Sequence, residues 1–74
     1  MSRLPALTAK QVLKVLQQGG LAAGHQRGSH LFLVHPQTGK TTTVPMHPGN
    51  LKRGLLKEII KQAGLTENEF RDLL

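Results

Sequence analysis

The fold is decided by Gly28-Ser29-His30-Leu31-Phe32-Leu33-Val34-His35-Pro36-Gln37-Thr38-Gly39-Lys40-Thr41-Thr42-Thr43-Val44-Pro45. Leu31–Val34 is a short apolar run bounded by turn chemistry, Gly28-Ser29 before it and Pro36-Gln37-Thr38-Gly39 after it. Thr41–Val44 is β-branched throughout, which favours a strand, and it stops at Pro45, which cannot donate to a ladder. A weaker strand at about 21–26 precedes the Gly28 turn, so three antiparallel strands form a meander. Alternation puts Phe32 and Val34 on one face and Leu31 and Leu33 on the other. With helices over the Phe32/Val34 face, Leu31 and Leu33 are left on the open face. An apolar patch there marks a protein partner, although two leucines on a small sheet are also ordinary.

Outward from this centre the period becomes helical. Thr8-Ala9-Lys10-Gln11 is a capping box, in which the Thr8 hydroxyl and the Gln11 amide satisfy each other's backbone donors. Ala9, Val12, Leu13 and Leu16 follow on one helix face, and Gly19-Gly20 ends a helix over roughly 8–18. Residues 1–7 form a short arm before it. After the strands, Leu56, Ile59, Ile60 and Ala63 make a second apolar face with Leu55 on its shoulder; it starts within Asn50–Gly54 and stops at Gly64. Thr66-Glu67-Asn68-Glu69 opens a short last helix with Phe70, Leu73 and Leu74 as its apolar side. The expected fold is α+β, in the order α-β-β-β-α. Two helices lie on one face of a three-stranded antiparallel sheet, with a short extra C-terminal helix.

The chain has 74 residues, the length of one small domain (residues 1–74), with no repeat or linker. Such a chain buries only about 60% of its unfolded surface, so its stability is marginal. Its 38% apolar content is too low for a membrane span and too high for a disordered basic tail. No cysteine is present, which excludes disulfides, thiolate metal sites and cysteine catalysis. No apolar run resembles a signal peptide, so a cytoplasmic protein without membrane contact is expected. The formal charge is +6 and unevenly spread: Arg3, Lys10, Lys14, Arg27, Lys40, Lys52, Arg53 and Lys57 face no Asp or Glu before Glu58. Nucleic acid is the commonest partner of such a body, while charge also serves plain solubility.

The catalytic inventory is mainly His25, His30, His35 and His47. The first three are five apart, which suits neither one strand face nor one helix face, so no metal site and no cofactor are expected. Ser29 and His30 adjoin, but Asp72 and all three Glu residues lie beyond residue 57, which argues against a hydrolytic triad. In Arg27-Gly28-Ser29-His30 a turn exposes backbone N–H groups beside a basic side chain and a titratable imidazole. That combination can hold a phosphate while a near-neutral base reaches a 2′-hydroxyl; an ordinary hairpin turn contains the same residues. Lys52 and Arg53 fall at the start of the second long helix, where cations are unfavourable unless a phosphate shares the site; solvated side chains there cost little. Lys57 and Lys61 fit a solvated face as well as they fit RNA.

Leu7-Thr8-Ala9-Lys10-Gln11-Val12 leading to Gly19-Gly20, Arg27-Gly28-Ser29-His30, His35-Pro36, Thr43-Val44-Pro45-Met46-His47, and Lys52-Arg53-Gly54 through Lys61-Gln62-Ala63-Gly64-Leu65 together resemble the HicA-type mRNA interferase toxins. The resemblance covers nearly the whole chain. It implies a double-stranded-RNA-binding-domain-like fold, cleavage of mRNA with His30 as the catalytic histidine, and Gly28 and Ser29 shaping its turn. It also implies a HicB-like antitoxin that covers the site, with operator DNA bound only indirectly through that antitoxin. Two departures stand out: Leu21-Ala22-Ala23-Gly24 lacks the aromatic and β-branched residues common in that strand, and Leu31 follows His30 where a second His is frequent.

The expected activity is therefore a metal-independent endoribonuclease toxin, with Arg27, Lys40, Lys52, Arg53 and Lys57 on the RNA backbone. Lys52 or water is left to protonate the leaving oxygen. The alternatives are a non-catalytic RNA-binding module of the same fold and an adaptor that binds an acidic protein.

Overall fold

The computed structural model describes residues 4–74, in which six elements follow one another as α1 (Ala9–Gln18), β1 (Ala22–Arg27), β2 (His30–Val34), β3 (Thr41–Pro45), α2 (Arg53–Gln62) and α3 (Glu67–Leu73). The sheet is antiparallel in the order β1-β2-β3. The α-β-β-β-α order with an added helix is as the sequence predicts. Both expected capping boxes form: the Thr8 hydroxyl accepts from the Gln11 N–H at 3.3 Å, and the Thr66 hydroxyl accepts from the Glu69 N–H at 3.0 Å. Gly64 ends α2 with φ of +83°. No helix among the described residues is long and apolar enough to cross a membrane.

The sheet face that enters the core is the reverse of the expected one. Leu31 and Leu33 are buried at 8% and 1% exposure, whereas Phe32 and Val34 stand at 36% and 38%. The register explains the choice. Leu31 pairs with Val44 and Leu33 with Thr42, so these four share the face under the helices. His30, Phe32 and Val34 pair with Pro45, Thr43 and Thr41 on the other. The open face thus carries Phe32 and Val34, with Phe32 stacked under the His25 ring at 4.6 Å between centroids.

The core collects Val12, Val15 and Leu16 of α1, Leu56, Ile59 and Ile60 of α2, and Phe70 of α3 over Leu33 and Val44. Leu4 and Leu7 are buried among them, so the second half of the expected arm is anchored; residues 1–3 of it lie outside the described residues. Thr42 is the single buried polar residue among those described, and its hydroxyl donates to the Gln62 side-chain oxygen at 2.9 Å. That bond fastens β3 to the last turn of α2 and satisfies a group that would otherwise cost stability.

β1 is the weak element. All six of its residues are exposed, and its register slips between Ala23 and Gln26, a β-bulge. Gly24 lies at the bulge with its Cα so close to the Phe32 carbonyl that a Cβ would sit 3.2 Å from that oxygen.

Replacing Leu33 by Ala should cost about 2–5 kcal/mol, enough to unfold much of a domain this small. Val34→Ala, on the open face, should cost well under about 1 kcal/mol. Urea melts followed by circular dichroism separate the two, and equal losses would contradict the face assignment.

Candidate functional site

The sequence places His30 directly after a turn, and the structure shows how that turn is held. Gly28 has φ of +59°, a conformation open to glycine at little cost. Its carbonyl accepts from the Gln26 side-chain amide at 2.9 Å. The Ser29 carbonyl accepts from the Met46 N–H at 2.6 Å, which extends the β2–β3 ladder past Pro45. His30 therefore leaves a turn clamped from both neighbouring strands, with its side chain on the open side of the sheet.

His30 lines an open cleft of about 490 Å³ together with Thr43, Pro45, His47, Leu55, Glu58, Ile59 and Gln62. The His30 and His47 rings lie 6.4 Å apart between centroids and nearly perpendicular, at 80°. From α2 the contributors are residues 55, 58, 59 and 62, the i, i+3, i+4, i+7 stripe of one helix face. The cleft thus joins two imidazoles, a carboxylate and an amide at the seam between β3 and α2. A second hollow of about 400 Å³, lined by Thr8, Ala9, Lys10, Met46, His47, Pro48 and Gly49, adjoins the first at His47.

The other expected site residues are distributed unevenly around this cleft. Arg27 pairs with His30 across the β1–β2 ladder and is exposed beside it. Lys40 lies by the β2–β3 turn, where Val34 pairs with Thr41, four residues along the ladder from the His30–Pro45 pair. Lys40 lies one step further, its carbonyl accepting from the His35 N–H at 2.8 Å, which at strand rise is about 17 Å from His30. Its stem runs across the end of α2, close enough that a Cβ on Gly64 would lie 2.5 Å from the Lys40 Cδ. Lys52 is the N-cap of α2 and makes no side-chain capping bond, and no acidic residue occupies that first turn. Arg53 donates to the Leu4 carbonyl at 2.9 Å, so part of its guanidinium holds the N-terminal segment in place. Lys57 is exposed on α2, off the stripe that lines the cleft.

The remaining histidines do other work. His25 stacks on Phe32, and the His35 Nδ1 accepts from the Gln37 N–H at 3.3 Å while its ring lies against Gly20. Among the described residues no group of three His, Cys, Asp or Glu is placed to hold a metal ion.

No local pattern in the sequence joins His47 and Glu58 to His30. Glu58 stands 28 positions beyond His30 in the chain. The signal that could have found it is its place on the Leu55/Ile59/Gln62 stripe, on the sheet-facing side of α2.

The family described as HicA toxin of bacterial toxin-antitoxin matches residues 9–65 of the chain, from the first residue of α1 to just past the end of α2. No curated protein matches it.

Gly28→Val should cost about 1–2 kcal/mol through backbone strain alone, because nothing lies within 4 Å of the added Cβ. Gly28→Asn should cost less, since Asn tolerates the left-handed region. Denaturant midpoints of the two variants test this; equal midpoints would mean that the turn does not hold residue 28 at positive φ.

Proposed function

The chain belongs to the HicA toxin family, and from that premise we propose that it is a toxin acting as an endoribonuclease on mRNA, with His30 as its general base. The observation that carries this reading is the exposed His30 imidazole, fixed by the Gly28-Ser29 turn at the rim of an open cleft and flanked by Arg27. An RNA strand laid across that rim brings a 2′-hydroxyl to the imidazole. His30 removes the hydroxyl proton, the 2′-oxygen attacks the adjacent phosphorus, and the 5′-oxygen leaves. The products are a 2′,3′-cyclic phosphate and a 5′-hydroxyl end.

Arg27 neutralises the phosphate beside His30. Lys52, Arg53 and Lys57, on the first half of α2, continue the cationic surface along the strand, and Lys40 takes a more distant phosphate. Gly28 and Ser29 position His30 and present backbone N–H groups to the RNA. The body of the chain supports polyanion binding throughout, because no acidic residue precedes Glu58. The toxin acts in the cytoplasm, where its substrate is, and a HicB-like antitoxin neutralises it by covering the cleft. Operator DNA is reached through that antitoxin.

Cleavage of a labelled single-stranded RNA in EDTA should fall about 10²–10⁴-fold in His30→Ala, the share that a positioned proton-transfer group supplies. Circular dichroism should show the variant folded, as expected for an exposed side chain. Undiminished cleavage by the variant would remove His30 from the chemistry. Binding without cleavage by both proteins would favour a non-catalytic RNA-binding module.

A further inference from the structure

Strand scission needs two proton transfers, one from the attacking 2′-hydroxyl and one to the departing 5′-oxygen. His30 can perform only one of them at a time. We propose that His47 is the general acid of this reaction, the group that protonates the leaving 5′-oxygen; the inference rests on the reading of His30 as base.

Three observations converge on His47. First, its ring lies 6.4 Å from that of His30 at 80° in the same cleft. That separation is too long for a direct ring-to-ring hydrogen bond. It suits two imidazoles that each reach a different oxygen of one phosphate, through bonds of about 2.6–3.2 Å.

Second, nothing structural occupies His47. It is exposed and makes no hydrogen bond among the described residues, unlike His35, whose nitrogen accepts a turn N–H. Third, its backbone is held firmly although its side chain is free. The Met46 N–H is bonded to Ser29, the Leu51 N–H to the Leu7 carbonyl at 2.8 Å, and Thr8 bridges Asn50. The segment carrying His47 is thus anchored to the His30 turn at one end and to the chain before α1 at the other.

The step balances as follows. The 2′-oxygen–phosphorus bond forms as the 2′-hydroxyl proton passes to neutral His30. The phosphorus–5′-oxygen bond breaks as protonated His47 gives its proton to that oxygen. The two imidazoles end with their protonation exchanged, and solvent returns them to the starting state. The charged and titratable groups around His47 are His30 from β2, Glu58 from α2 and Lys10 from the first turn of α1. Glu58 can accept a hydrogen bond from an imidazole N–H and orient the ring, and Lys10 can hold the phosphate that follows the scissile one.

The test compares wild type, His47→Gln and His30→Ala on two substrates in EDTA. One is a single-stranded RNA. The other is uridine 3′-(4-nitrophenyl) phosphate, whose phenolate leaves without being protonated. His47→Gln should cleave RNA at least about 10²-fold more slowly than wild type and the aryl ester within about tenfold of it, and the alkaline fall of its pH–rate profile on RNA should vanish. His30→Ala should be slow on both substrates. A His47→Gln protein as fast as wild type on RNA, or equally slow on both substrates, overturns His47 as acid while leaving His30 as base. Loss of neither substrate's cleavage in His30→Ala, or no cleavage by wild type, overturns the base and the acid together.

Discussion

A strand can bury only one of its two faces, and here that constraint sets both the core and the site. β2 places Leu31 and Leu33 in the core with the apolar residues of the helices, and every second residue must then point the other way. His30 is one of those residues. Shifting the strand by a single position would bring Leu31 and Leu33 to the surface and turn His30 into the core. The apolar packing that stabilises the domain and the exposure of its imidazole are therefore one choice of register. The β2–β3 ladder, running from Val34–Thr41 to His30–Pro45, fixes it.

The cleft is a seam between layers. One wall is the end of β3 with the segment that follows it, and the other is a stripe of α2. The Thr42–Gln62 hydrogen bond holds these walls together, and Gln62 is also one of the residues lining the cleft. The tie that sets the spacing between sheet and helix is thus made at the edge of the candidate site. The basic residues are less concentrated. Arg27 stands beside His30, Lys40 is at the far end of the hairpin, and Arg53 divides its guanidinium between solvent and the Leu4 carbonyl. Their common property is a surface that acidic side chains leave uninterrupted up to Glu58.

Much of the fold was legible because its signals are local. The Thr8 and Thr66 capping boxes, the glycine after α2 and the proline closing β3 each act within a few residues, and each forms as its sequence demands. The buried face of β2 was not legible in the strand itself. Leu31-Phe32-Leu33-Val34 is apolar at both parities, so alternation has no polar member to break the tie. The decision comes from the partner strand, where Val44 lies opposite Leu31, and from helix contacts that no local pattern encodes. The turn that carries His30 was legible for the same reason as the caps, since it is local. His47 and Glu58 reach it only through the packing of α2 against β3, and Leu4 enters the core only because the chain folds back under the start of α2.

The bulge in β1 has a consequence for how the molecule meets copies of itself. β1 is an outer strand, and an outer strand with regular backbone spacing is a template on which another chain can add. Here the extra residue between Ala23 and Gln26 breaks that spacing midway, and Arg27 adds charge at its end. Neither half is long enough to offer a continuous ladder. An irregularity that looks like poor strand design thus makes this edge of a small, basic sheet a poor template for another chain.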